Sequence, residues 1–195
     1  MTGQRPKLTM PEAEATHLAS HYAAASVILE YGSGGSTVLA AELPGKTVFS
    51  VESDAAWLAG LQGWFDANLT PSRPILHHAD IGPTKAWGAP ATEKHFRRWP
   101  RYPNSVWERA DFQHPDVVLI DGRFRLACLL TTLLRISRPV VALVDDYIDR
   151  PGYHTVETLV APTRMIGRMA QFDLVPGALP MDRLSWLIDS YLRPL

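Results

Sequence analysis

Leu29-Glu30-Tyr31-Gly32-Ser33-Gly34-Gly35-Ser36-Thr37 joins a β-branched run that begins at Val27 to a helical stretch, Ser36 to Leu43. Glycines at a strand–helix junction permit positive φ and let the backbone approach a ligand closely, and the free N–H groups there attract polar or negative groups. A nucleotide-like cofactor is implied. The dinucleotide fingerprint wants glycine where Thr37 stands, and it would set the Glu30 carboxylate beside a pyrophosphate. The same anion suits a cationic ligand, such as a sulfonium bearing an α-amino group. No Gly-Lys-Ser/Thr is present, which excludes a phosphate-cradling loop of that kind.

Working outward, short apolar runs alternate with helical stretches, the pattern of a parallel sheet joined by crossover helices. Thr9-Met10-Pro11-Glu12 reads as a capping box opening a helix to about Ala25. Strands are expected at Val27–Glu30, Thr47–Val51, Ile75–His78, Val117–Ile120 and Pro139–Val144. Asp54 starts a helix whose Trp57, Leu58, Leu61, Trp64 and Phe65 share one face. Leu126, Leu129, Leu130, Leu133 and Leu134 form another such face, and a further helix is expected around Tyr153 to Val160. Met169–Val175 and Leu184–Leu192 read as a terminal antiparallel hairpin, because the Pro-Gly-rich link is too short for a crossover. The expected fold class is α/β, a Rossmann-like doubly wound sheet of about seven mostly parallel strands, in one domain over 1–195.

The 195 residues carry 19 basic and 20 acidic side chains, with 46% apolar and 9% aromatic residues. Such values exclude collagenous, low-complexity and disordered classes, and without a basic excess nucleic acid is not an expected partner. Arg5 and Lys7 are followed by no signal-like apolar stretch, no uncharged apolar run reaches the ~18 residues of a membrane span, and the lone Cys128 cannot form an internal disulfide. A cytoplasmic protein with a small-molecule substrate and no membrane partner is expected, with a homodimer left open.

Glu30-Tyr31-Gly32-Ser33-Gly34 resembles the first motif of the class I S-adenosylmethionine-dependent methyltransferases, an acid followed by spaced glycines. The resemblance implies that Gly32, Ser33, Gly34, Gly35, Ser36 and Thr37 lie against the amino-acid part of the cofactor. Twenty residues after Gly32, Glu52 ends Phe49-Ser50-Val51-Glu52-Ser53 and has the place of the acid that holds the ribose hydroxyls, with Ser53 beside it. Asp80 in His78-Ala79-Asp80-Ile81 resembles the position that meets the adenine amino group, with Ile81 packing on the ring. A nicotinamide-dependent oxidoreductase and a catalytically silent binding module stand as alternatives.

Asp121 after the fourth strand and Asp145-Asp146 after the fifth would converge at the carboxyl edge of the sheet. They are similar to the catechol O-methyltransferase group, where such acids hold magnesium. That similarity implies Asp121, Asp145 and Asp146 as ligands of Mg²⁺, with Asp121 and Asp145 as the catalytic acids and Asp121 also beside the cofactor; in metal-free relatives the residue at Asp121 orients the substrate or acts as its base. Asp146 stands where that group has asparagine, and Gly122-Arg123 follow Asp121 with no lysine to act as base. Arg123, Arg125 or Arg150 could neutralise the acids in place of an ion. His154 is a candidate proton acceptor, whereas His17, His21, His77 and His78 read as structural. Between Gly82 and Pro115 the basic and aromatic residues interleave, which suits either a packed loop or a substrate cap, residues 82–115, facing the acidic sheet edge.

Overall fold

The computed structural model describes residues 4–178 and 181–194. Helix α1 (Glu12–Ala24), strand β1 (Val27–Tyr31), helix α2 (Gly35–Ala41), strand β2 (Thr47–Glu52), helix α3 (Ala55–Ala67) and strand β3 (Ile75–His78) follow in order. A segment of 3₁₀ turns around the short helix α4 (Arg101–Asn104) then leads to β4 (Val117–Ile120), α5 (Arg125–Arg135) and β5 (Val140–Val144). A 3₁₀ helix at Pro151–Thr158 precedes β6 (Arg164–Ile166), β7 (Met169–Leu174) and helix α6 (Leu184–Ser190).

The seven strands form one sheet in the order β3-β2-β1-β4-β5-β7-β6. The first five run parallel, and β7 is antiparallel to both β5 and β6. This is the Rossmann-like, mostly parallel architecture expected from the sequence. Both faces are covered, so the central strands read as unbroken apolar runs. On one face Ile28, Val48, Leu119 and Leu143 pack with Leu18 and Tyr22 of α1. On the other, Leu29, Phe49, Val118 and Ala142 pack with the inward face of α5, where Cys128 is fully buried as core filler.

The chain between β3 and β4 takes the place of a crossover helix. Trp99, Tyr102 and Val106 are buried in the α5-side core, with the Tyr102 and Trp99 rings tilted against Phe124 at centroid distances of 5.6 and 5.7 Å. Its basic residues do not neutralise the sheet-edge acids beyond an exposed Arg98–Asp80 pair at 3.0 Å; Arg109 turns instead to Asp111.

Three local expectations are corrected. No Thr9 capping box forms: Pro11 is the N-cap of α1, where a residue without an N–H loses nothing. Leu184–Leu192 is not a strand; Leu184, Leu187 and Ile188 fall at i, i+3, i+4, and the segment folds as α6. The terminal hairpin is instead β6–β7, closed by Gly167 at φ +52 under the buried Glu14, whose Oε1 accepts from the Arg168 N–H at 2.9 Å. The stretch around Tyr153 is 3₁₀ rather than α, beginning at Pro151 and ending at Thr158.

Candidate functional site

The register brings the carboxyl ends of β1, β2, β4 and β5 to one edge. Tyr31 pairs with Val51 and Ile120, and Ile120 with Val144, so the chain leaves the sheet together at Gly32, Ser53, Asp121 and Asp145. A cavity of about 300 Å³ opens there, lined by Gly32–Ser36, Glu52, Asp54 and Trp57, by Trp87–Gly88, by Lys7–Thr9, and by Asp121–Arg123. Gly32 has φ +102, and a Cβ on it would come within 2.8 Å of the Gly122 nitrogen, so the β1 and β4 loops meet backbone to backbone. A Cβ on Gly35 would strike the Lys7 and Leu8 backbone, which places the N-terminal segment directly on the loop.

Hydroxyls hold the loop from below. Ser33 and Ser50 share a 2.7 Å hydrogen bond, Ser50 lies 3.1 Å from Thr37, and the Gly34 N–H donates to Thr37 Oγ1 at 2.9 Å. Glu30 is fully buried beneath this layer; the Tyr22 hydroxyl donates to its Oε1 at 2.7 Å, and Oε2 has no partner among the described residues. Burial raises the Glu30 pKa, against the pull of the Tyr22, Thr37, Ser36 and Ser50 hydroxyls. Glu30 therefore supports the loop and does not line the cavity, unlike the direct counter-charge that the sequence suggested.

Glu52 stands at the mouth. Its Oε1 accepts from the Ser53 N–H at 2.6 Å and the Asp54 N–H at 2.9 Å, while Oε2 has only a 3.5 Å contact from the Ser33 N–H. Trp57 Nε1 donates to the Ser33 carbonyl at 2.8 Å and ties α3 to the glycine loop. Ser53 lies behind, donating to the Gly88 carbonyl at 2.8 Å, so the turn at 86–88 sits against Glu52.

The chain aligns over 97% of its length with 99% of a methyltransferase-like protein from Silicibacter pomeroyi, at 49% identity and a TM-score of 0.94. It belongs to the class I methyltransferase family. Two further solved structures share the fold. The O-methyltransferase TomG from Streptomyces achromogenes, solved with S-adenosylmethionine, matches at 15% identity and TM-score 0.58, over 87% of this chain and 82% of TomG. An S-adenosylmethionine-dependent O-methyltransferase from Thermotoga maritima matches at 11% and 0.54, over 90% of this chain and 69% of that one. Neither a family model nor a curated protein matches the sequence.

On this methyltransferase frame the acids after β4 and β5 do converge: Asp121, Asp145 and Asp146 bring carboxylate oxygens within 4.8 Å of one another. Every one of them is already engaged by a guanidinium. Arg125, 3% exposed, spans Asp121 at 3.1 Å and Asp146 at 3.2 Å. Arg168 takes both Asp145 oxygens at 2.8 and 3.2 Å and Asp146 at 3.1 Å, and Arg150 reaches Asp146 at 3.4 Å. Oxygen donors of this kind suit Mg²⁺, but a buried arginine fixed between two of the three carboxylates puts a positive charge where the ion would need to sit, so the set does not fit a divalent cation. The neutralising charge comes from α5, the β6–β7 turn and Arg150, not from the 82–115 segment. Burial, with Asp145 and Asp146 nearby, pushes Asp121 up to about 7 against the opposing pull of Arg125.

Other expected site residues lie elsewhere in the methyltransferase fold. Asp80 is outside the cavity lining, accepts the Gly82 N–H at 2.9 Å and pairs with Arg98; Ile81 is buried in the core. His154 stacks on Tyr147 at 4.7 Å, and its Nε2 lies 3.0 Å from the Tyr147 carbonyl, so it does not face the cavity. Asp145 is buried and locked to Arg168, which leaves Asp121 as the one of the three clustered acids that lines the cavity. Residues not picked out from the sequence are Lys7–Thr9, Trp57 and Gly88. A third consecutive-turn glycine, Gly35, was the signal that a second backbone must approach the loop. Trp87, Phe124 and Asp146 are the non-glycine residues at positive φ among those described, and all three follow strands at this edge.

Proposed function

We propose that this chain binds S-adenosylmethionine in the cavity and catalyses methyl transfer to an oxygen of a small-molecule acceptor. The observation that carries the reading is one cavity bounded by the glycine loop, Glu52 and Asp121. The residues fit the cofactor: a Cβ on Gly32 or Gly35 would strike neighbouring backbone, so the loop stays bare at both, and Glu52 Oε2 keeps acceptor capacity suited to neighbouring ribose hydroxyls. The solved complex of TomG supports the same cofactor, and the O-methyltransferase neighbours support oxygen as the acceptor atom.

When bound, S-adenosylmethionine supplies an electrophilic methyl group. Glu52 would hold the ribose, the glycines 32, 34 and 35 would let the amino-acid part lie close, and Lys7, beside the loop, would serve as a cation for its carboxylate. Asp121, fixed by Arg125, takes the proton from the acceptor hydroxyl, and alignment supplies most of the remaining rate. Incubation with labelled S-adenosylmethionine and a panel of phenols and small acids tests the reading. Label transfer to an acceptor is expected; binding without transfer to any of them would leave a silent module.

Because the arginines neutralise the acids, turnover should change by less than about twofold on adding EDTA or Mg²⁺, whereas metal-activated catalysis would fall by orders of magnitude on chelation. Asp121→Asn should lower kcat/KM by about 10²–10⁴-fold. It should also remove an acid limb near pH 7, since Asp121 is pushed up to about 7 and must be ionised to accept a proton. The sign for stability is opposite. A carboxyl whose pKa is higher folded than unfolded loses stability as pH rises from its ordinary value, 3.8, through about 7. The melting temperature of Asp121→Asn relative to the native chain should therefore rise between pH 5 and pH 8.5.

A further inference from the structure

We infer that the methyl acceptor carries a carboxylate and that Arg123 holds it, a proposal that rests on the cofactor reading and assigns the part of the cavity beside Asp121. The charges around the acids balance without Arg123: Asp121, Asp145 and Asp146 are matched by Arg125, Arg150 and Arg168. Arg123 lines the same cavity yet makes no ion pair among the described residues, and its Nε is buried with no hydrogen-bond partner among them. A buried donor on a cation is costly to leave unpaired, so the side chain is set for a ligand atom that the folded chain does not itself provide.

Its backbone is fixed for that task. The Arg123 N–H donates to the Tyr102 hydroxyl at 3.3 Å, its carbonyl faces Cys128 Sγ at 3.5 Å, and Phe124 follows in the left-handed region at φ 53. A planar guanidinium matches a carboxylate with two parallel N–H···O bonds. One surplus positive charge suits a monoanion, whereas a phosphate dianion would bring a second charge toward the neighbouring acids. Lys7, the other cation lining the cavity without an ion pair among the described residues, lies beside Gly35 and is taken by the cofactor's carboxylate in the reading above.

Benzoate, its neutral analogue benzamide, and inorganic phosphate serve as probes, titrated by calorimetry with and without saturating S-adenosylhomocysteine. Benzoate should bind the native chain, Arg123→Gln should weaken it by about tenfold or more, and Arg123→Lys should fall between, keeping the charge and losing the fork. Benzamide should bind at least about tenfold more weakly than benzoate, a comparison that uses the native chain alone should a variant not fold. Absence of benzoate binding, equal binding by Arg123→Gln, equal binding of benzamide, or preference for phosphate would each overturn the proposal. Failure of S-adenosylhomocysteine to bind the native chain would instead overturn the cofactor reading, and Arg123-dependent benzoate binding without it would still support the anion site.

Discussion

Glu52→Ala should weaken S-adenosylhomocysteine binding by about 100-fold, equivalent to roughly 2.7 kcal/mol. The size follows from the bonds lost: a carboxylate accepting from two hydroxyls contributes about 1.5–3 kcal/mol for each charged hydrogen bond, less the cost of desolvation. Glu52 also braces its own turn, with Oε1 accepting from the Ser53 and Asp54 N–H groups. Glu52→Gln separates the two roles. Its remaining carbonyl can brace the turn while the amide cannot accept, so affinity should fall by about tenfold with the melting temperature little changed. Affinity within about threefold of native in Glu52→Ala would remove the ribose role, because that difference is below one hydrogen bond.

Arg125→Ala should be the most damaging single change to stability, costing about 3–5 kcal/mol. The buried guanidinium spans Asp121 and Asp146 and donates to the Asp145 and Gly122 carbonyls as well. Removing it leaves Asp121 with no ion pair among the described residues and Asp146 with Arg150 and Arg168 alone, both carboxylates being largely buried. For a chain of this size the loss corresponds to a fall of about 6–20 °C in melting temperature. Arg125→Lys keeps the charge but cannot span both acids, so an intermediate fall is expected. A drop below about 2 °C for Arg125→Ala, measured by thermal unfolding near neutral pH, would contradict this account of the cluster.

The central sheet was legible because parallel strands covered on both faces must be apolar throughout, and Val117–Ile120, buried along its whole length, has the limits that its run implied. Edge elements were not. Arg164–Ile166 is three residues long and largely exposed, too short and too polar to show alternation. Leu184–Ser190 carries enough apolar residues to pass as a strand, and only its i, i+3, i+4 spacing reveals the helix.

At the site, residues fixed by strand ends were readable, since the turn after each parallel strand falls at the same edge. Hence Gly32, Glu52 and Asp121 all line one cavity. Contacts made by distant chain were not readable: the approach of Lys7 and Leu8 to Gly35, the Trp57 bond to Ser33, and the arginine partners of the acids depend on packing. The burial of Glu30 belongs with these. A charge pattern shows that an acid ends β1, but only the side chains beneath it, Tyr22 above all, show which way it turns.

In the proposed function, everything turns on the glycine-loop cavity holding S-adenosylmethionine. Calorimetric titration of the native chain with S-adenosylhomocysteine, run beside NADH, tests it most directly. The account predicts saturable one-to-one binding of S-adenosylhomocysteine and no heat from NADH; silence toward S-adenosylhomocysteine at millimolar concentration, or saturable binding of NADH in its place, would contradict it.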